Sequence, residues 1–215
     1  MITPTPSPRR DRYHHGDLAN ALANAALDLA RTGGPQAVVL RAAARQVGVS
    51  ATAAYRHFSG HDDLMGTVKQ HCQVELVGRM EAELAAGTPE TDPGREAIRR
   101  LRALGRGYVQ FAQAEPGLFR TAFLHSDAPL DEQWAALLAA PGFQTLNGTL
   151  DELVEHGVLE PARRPGAEII AWSGVHGLAV LVLDGPLGAL PAGELAATID
   201  HVLEAITTGV LGYQP

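Results

Sequence analysis

Two short helical segments joined by a tight turn constrain this chain more than any other feature of its sequence. The segment LRAAARQVG, residues 40–48, reads as two helical turns that Gly48 closes. A second segment, ATAAYRHF, begins at residue 51, and the Ser50 hydroxyl before it can cap its first turn. Two short helices joined by a tight turn that contains glycine predict a helix-turn-helix.

The rest of the sequence also predicts helices. Alanine and leucine dominate while aromatic and β-branched residues are few, a composition that favours an all-α fold over sheets. Apolar residues recur at helical spacing and no strand pattern appears. The further predicted helices cover about residues 16–34, 61–87, 93–114, a short piece after Pro116, 131–157 with an interruption at Pro141, 165–184 and 193–212. We expect the apolar helix 165–184 to be buried on most sides.

Charge divides the chain into a basic head and an acidic body. Residues 1–61 hold seven arginines, no lysine and three aspartates, whereas the whole chain has a formal net charge of −7. A small basic head on an acidic body indicates that only the head meets a polyanion. Chance imbalance in a short segment is the alternative.

The head resembles a known family. The run AARQVGVSATAAYRHFSGHDDLM is similar to the DNA-binding domain of the TetR (tetracycline repressor) family of bacterial transcriptional regulators, with Gly48, Ser50, Tyr55, His57 and Phe58 in register. WSGVHG, residues 172–177, is similar to the Trp-x-x-x-His-Gly signature of one C-terminal subgroup. The resemblance implies a disordered basic arm (1–13), a three-helix DNA-binding head (14–74, with the helix-turn-helix at about 37–57) and a helical effector-binding and dimerisation body (75–215).

The second helix of a helix-turn-helix enters the major groove, so its small first residues can approach base edges. We therefore predict base contacts from Ser50, Thr52 and Ala53 and backbone contacts from residues around them. The predicted DNA-binding residues are Arg41, Ser50, Ala51, Thr52, Ala53, Tyr55, Arg56, His57 and His61. Arg9, Arg10 and Arg12 of the arm either reach an adjacent groove or form a solvated tail.

This chain departs from the family pattern at two positions. His61 stands where the family usually has lysine, and a largely neutral histidine attracts phosphate less. Val39 stands where a serine or threonine usually caps the second helix, and valine cannot accept the capping hydrogen bond.

For the body, the resemblance implies a homodimer built by residues 165–184 and 193–212. An apolar stripe on the last helix fits this interpretation, with packing inside one chain as the alternative: Leu195, Ile199, Val202, Leu203, Ile206 and Val210. Aromatic residues with a few polar groups suit a small-molecule pocket, although plain core is the alternative for each. The predicted effector-pocket residues are Tyr108, Phe111, Phe119, Phe123, Trp134, Trp172 and His176.

Four arginines, Arg95, Arg99, Arg102 and Arg106, recur along one face of the helix 93–114. We interpret them as a solvated face; an anion-facing or interdomain surface is the alternative.

Enzyme chemistry is not expected. Ser173, His176 and Asp184 lack a nucleophile elbow, His14, His15 and Asp17 lack a second cluster of metal ligands, and no phosphate-binding glycine loop occurs. We predict no cofactor and no metal. The single cysteine, Cys72, and the shortness of the longest apolar run predict a cytoplasmic protein without a membrane span.

These patterns predict a dimeric, ligand-responsive transcriptional regulator, most simply a repressor of a near-palindromic operator. A helical small-molecule-binding protein without specific DNA activity is the alternative.

Overall fold

The computed structural model describes residues 15–125 and 128–212, which form ten α-helices and no strand. None of the described helices has the length and hydrophobicity needed to cross a membrane. The predicted arm, with Arg9, Arg10 and Arg12, lies outside the described residues. The helices are α1 (His15–Gly33), α2 (Leu40–Val47), α3 (Ala51–Ala54), α4 (His61–Ala86), α5 (Pro93–Ala114), α6 (Pro116–Ala122), α7 (Leu130–Ala139), α8 (Pro141–Glu155), α9 (Ala167–Leu183) and α10 (Ala192–Leu211).

The predicted helix-turn-helix forms as α2, a turn and α3. Gly48 ends α2 at φ 79°, a left-handed conformation that glycine adopts without steric cost. The Ser50 Oγ accepts a hydrogen bond from the Ala53 N–H at 3.1 Å, so the predicted cap forms. Helix α3 is shorter than the eight residues predicted, because its last turn tightens and the Phe58 side chain folds into the core.

Helix α4 runs without a break through the predicted boundary at residue 74. Its predicted apolar line, Leu64, Val68, Cys72, Leu76 and Met80, is fully or almost fully buried. One continuous core cluster joins residues of α1, α2 and α4 to residues of α9 and α10. Head and body therefore share a hydrophobic core along this helix.

Helix α5 crosses the body and packs against α4, α8, α9 and α10. Gly107 permits the close crossing with α4, since a Cβ there would lie 2.6 Å from the Met80 Cα. A second core cluster, which includes Leu101, Leu150 and Val210, joins α5, α8 and α10. These contacts bring five helices around one interior space.

Two interpretations of the last helices are wrong within the single chain. Helix α9 is not buried on most sides, because Ile170, Val180 and Leu181 are about half exposed. The apolar stripe of α10 packs against α5 and α9, so it forms part of the core of its own chain. The outward faces of both helices carry other, mostly small residues.

The arginine stripe on α5 is not simply a solvated face. Arg102 pairs with Glu204 at 2.7 Å and Arg106 with Asp200 at 2.6 Å, both on α10. Arg99 pairs with Glu96 of its own helix, and only Arg95 of the four is exposed. Partly exposed ion pairs contribute about 0–1 kcal/mol each, so they fix the position of α10 more than they stabilise the fold.

A capping residue at the uncapped start of α2 should stabilise the protein. Val39 has the extended backbone of an N-cap and a half-exposed side chain, but it forms no capping hydrogen bond. A serine hydroxyl would accept a bond from a free N–H of the first turn. We expect Val39→Ser to raise the free energy of unfolding by about 1 kcal/mol in urea denaturation. Val39→Ala, which removes the same apolar surface without adding an acceptor, should give no gain, and equal values for the two variants would contradict this reasoning.

Candidate functional site

The predicted DNA-binding residues lie on the outer surface of the helix-turn-helix. Thr52 on α3 is exposed, and so are Tyr55 and Arg56 in the turn that follows this helix. On the opposite side, Ala54 and Phe58 are buried and hold the segment on the core. The other predicted residues are either exposed, as Arg41, Ser50 and His61 are, or half-buried, as Ala51, Ala53 and His57 are.

The polar groups on this surface have capacity left for a ligand. The Ser50 Oγ accepts a hydrogen bond from Ala53, but its hydroxyl proton remains able to donate. Arg41, Arg45 and Arg56 are exposed and form no ion pair within the described part of the chain. Residues 29–61 contain no acidic side chain. The surface is therefore cationic, although the whole chain is acidic.

Arg45 was not predicted from the sequence. It lies four residues after Arg41, so both side chains share one face of α2. That i, i+4 spacing was the signal that could have identified it.

A cavity of about 70 Å³ lies between α4, α5, α7, α8, α9 and α10. Half of its lining residues are leucine or aromatic. Tyr108, Phe123 and Trp172 of the predicted set line it, and Phe119 and His176 stand behind them in ring contact. Phe111 is buried in the core elsewhere and Trp134 on α7 is half exposed, so neither lines the cavity. Phe143 also lines the cavity. It was not predicted, because an aromatic residue directly after Pro141–Gly142 looks like part of the first turn of a new helix.

A hydrogen-bonded pair fixes the aromatic wall. The Tyr108 hydroxyl lies 2.8 Å from the His176 Nδ1. Burial raises the pKa of Tyr108, and a hydrogen bond with the Trp172 indole opposes this effect. An indole N–H can only donate, so the phenol keeps its own proton free to donate to Nδ1, an arrangement that needs a neutral His176 with its proton on Nε2. Burial also lowers the pKa of His176, which agrees with a neutral ring.

An ion network connects the head to the body near this cavity. The Arg31 guanidinium at the end of α1 binds Glu75 of α4 at 2.7 Å and Glu115, between α5 and α6, at 3.0 Å. These side chains are about one-third exposed. Helix α6 also starts directly on α1, since a Cβ on Gly117 would lie 2.3 Å from the Ala30 carbonyl oxygen. Any movement of α4 or α6 therefore reaches α1.

Family models match both parts of the chain. Residues 22–68 match the model for bacterial regulatory proteins of the tetR family. Residues 101–206 match the model for the tetracyclin repressor-like C-terminal domain. Both domains are TetR-family domains. The chain is thus a TetR-type DNA-binding regulator, a class that is not enzymatic.

Solved structures share this TetR fold. A protein of unknown function from Rhodococcus sp. RHA1 superposes with a TM-score of 0.70 at 24% identity, covering 94% of this chain and 97% of that one. A transcriptional regulator from the same organism gives a TM-score of 0.52 at 20% identity, covering 91% and 99%. No curated protein matches the TetR-type chain in sequence.

The neutral His176 predicts a pH dependence of stability. Its pKa is lowered in the folded state, so between that value and the unfolded pKa of about 6.5 the unfolded chain binds more protons. The free energy of unfolding must therefore decrease as the pH falls below about 6.5. In urea denaturation at about pH 7 and pH 5, His176→Gln should lose less stability than the unsubstituted chain. Replacing the exposed His125 by Gln should leave the loss unchanged. Equal losses in all three proteins would contradict a neutral, buried His176.

Proposed function

We propose that this TetR-type chain is a homodimeric, ligand-responsive repressor that binds a near-palindromic operator. The observation that carries the proposal is the exposed cationic surface of the helix-turn-helix, free of acidic residues on a chain of net charge −7. An acidic protein that concentrates unpaired arginines on one surface favours a polyanionic partner at that surface alone.

In this proposal, α3 enters the major groove. Ser50, Ala51, Thr52 and Ala53 contact base edges, since their small side chains let the backbone approach. Phosphate contacts that fix the register come from residues around them: Arg41, Tyr55, Arg56, His57 and His61. We add Arg45 to this second group because of its exposure beside Arg41.

The outward face of α9 and α10 supports the proposed dimer through residues 165–184 and 193–212. On α9 it carries Ile170, Ser173, Gly177 and Leu181, all exposed in the single chain. The outward face of α10 adds Ala197, Ala205 and Gly209. Small residues allow two helix pairs to approach closely, and a two-fold dimer would place two α3 helices about 34–36 Å apart, or a multiple of it.

Ligand response follows from the shared core and the ion network. A molecule in the cavity touches Leu76 of α4, one residue from Glu75, which binds Arg31 of α1. If it binds better to the arrangement in which the heads do not match the operator, it shifts the population toward that arrangement and releases DNA.

We also propose that the chain belongs to the Trp-x-x-x-His-Gly subgroup, through Trp172, His176 and Gly177. The domain division at residues 14–74 and 75–215 remains part of the proposal.

The experiment selects duplexes from a randomised pool with the full chain and measures affinity for the enriched site by fluorescence anisotropy at two salt concentrations. We expect a near-palindrome, salt-sensitive binding and at least a roughly tenfold loss in Tyr55→Ala/His57→Ala. Arg56→Gln should weaken binding and reduce the salt slope by about one.

Arg95→Gln is the charge-matched control, since Arg95 is equally exposed but lies on α5. It should leave affinity almost unchanged. Failure to enrich any site would favour the alternative, a helical ligand-binding protein without specific DNA activity. The same conclusion would follow if the Tyr55→Ala/His57→Ala variant bound as tightly as the unsubstituted chain.

The proposed dimer can be tested at Gly177, where an added Cβ meets nothing within 4 Å. Gly177→Arg therefore fits the single chain but places a large charge in the proposed interface. We expect light scattering to give a monomer with unchanged helix content and weaker operator binding. Gly148→Arg on α8 is the matched control, because it is exposed and equally unobstructed, and it should remain a dimer. A dimeric Gly177→Arg variant would refute this interface.

A further inference from the structure

The charge that lines the cavity is of one sign, positive. Among the described residues, Arg102 is the only charged one that lines it, and no carboxylate does. A cationic ligand would therefore be buried beside a positive charge without a counter-charge in the wall, which is costly. The lining favours an anionic or neutral ligand.

Arg102 has a buried donor that the described part of the fold leaves unused. Its Nη2 donates to Glu204 at 2.7 Å near the surface. Its Nε is buried and has no hydrogen-bond partner among the described residues. An unsatisfied buried donor is destabilising by about 1–3 kcal/mol, so an acceptor that reaches it gains more than one that binds an exposed donor. Bonds between guanidinium and carboxylate are the stronger kind, since both groups are charged.

A second free polar group lines the same cavity. The Gln73 amide on α4 makes no hydrogen bond within the described part of the chain. The other polar side chains are already engaged. The Thr207 hydroxyl donates to the Leu203 carbonyl oxygen and the Tyr108 hydroxyl is bonded to His176. Unused donors thus come from Arg102 and Gln73.

The remaining wall is apolar and holds Leu76, Phe143 and Trp172 among others. The cavity of about 70 Å³ has room for roughly five water molecules. An aromatic ring needs more space, because a cavity that binds benzene measures about 150 Å³. Helix α7 is the wall that can yield, since Leu137 lines the cavity while no residue of α7 is buried.

We propose that the cavity binds a hydrophobic monocarboxylate, whose carboxylate accepts hydrogen bonds from the Arg102 Nε and the Gln73 amide while its apolar part lies against Trp172 and Phe143. This inference names the effector class and rests on the proposed function. The carboxylate would accept a hydrogen bond from the Arg102 Nε, which has no partner among the described residues.

Isothermal titration calorimetry of the full chain tests the class directly. The probes are 3-methylbutanoate, phenylacetate and 4-phenylbutanoate, each with its amide and its amine. We expect at least one acid to bind at least ten times more tightly than its own amide and amine. No binding by any acid, or equal binding by an acid and its amide, would overturn the proposal.

Variants identify the group responsible. Arg102→Gln should abolish the preference for acid over amide. Arg102→Lys keeps the charge but lacks Nε, so it should weaken acid binding while retaining the preference over the amine. Arg106→Gln also breaks one ion pair to α10 but does not line the cavity, so it should bind the acid unchanged. Urea denaturation of each variant checks its fold.

A full preference for the acid in Arg102→Gln would overturn the assignment of Arg102. Operator anisotropy is measured separately. Acid binding without any DNA binding would defeat the proposed function but leave the ligand class standing, whereas DNA binding with an amine or amide preference would do the reverse.

Discussion

The unbroken apolar line of α4 is the constraint on which the rest of this structure depends. Its first residues, Leu64 and Val68, are buried in the core with the head helices, while Leu76 lines the cavity and Met80 meets α5. A helix with continuous burial cannot bend at one end without disturbing the packing at the other, because protein interiors are close-packed. The DNA-binding head is therefore mechanically attached to the space in which a ligand would lie.

Polar contacts make that attachment specific. Arg31 binds Glu75 and Glu115 at once, so α1 is held both to α4 and to the junction before α6. The pairs are part-buried, and one guanidinium serves both carboxylates. A shift of α4 by a fraction of a helical turn would separate these groups. The proposed ligand response requires an element with two such arrangements, one bonded and one separated.

Arginine side chains are paired with acidic residues in the body but not in the helix-turn-helix of the head. In the body, Arg102 and Arg106 are paired with acidic residues of α10, and the ion pairs hold helices that also share a core. In the head, Arg41, Arg45 and Arg56 form no ion pair among the described residues, and residues 29–61 contain no acidic side chain. Net charge alone conceals this arrangement. The sign that matters to a polyanion is that of the surface it meets.

Local patterns in the sequence determined the helices, the turn at Gly48, the Ser50 cap and the identity of the head, because each depends on residues within a few positions of one another. The apolar line of α4 was also predictable, since the helical period of the apolar residues alone gives the buried face.

Three features were decided only by the tertiary structure. The stripe of α10 could face its own chain or a partner, and periodicity cannot distinguish these two cases. Its packing against α5 and α9 places it in the core of its own chain. Phe111 and Phe123 have similar sequence surroundings, yet only Phe123 lines the cavity, because the empty space is set by how six helices cross. The unpaired Nε of Arg102 depends on Glu204, one hundred and two residues away, taking one end of the guanidinium. Contacts between residues far apart in the sequence leave no local pattern. The amino-acid sequence therefore predicts the helices and the DNA-binding head, whereas the cavity and its chemistry depend on how the helices pack.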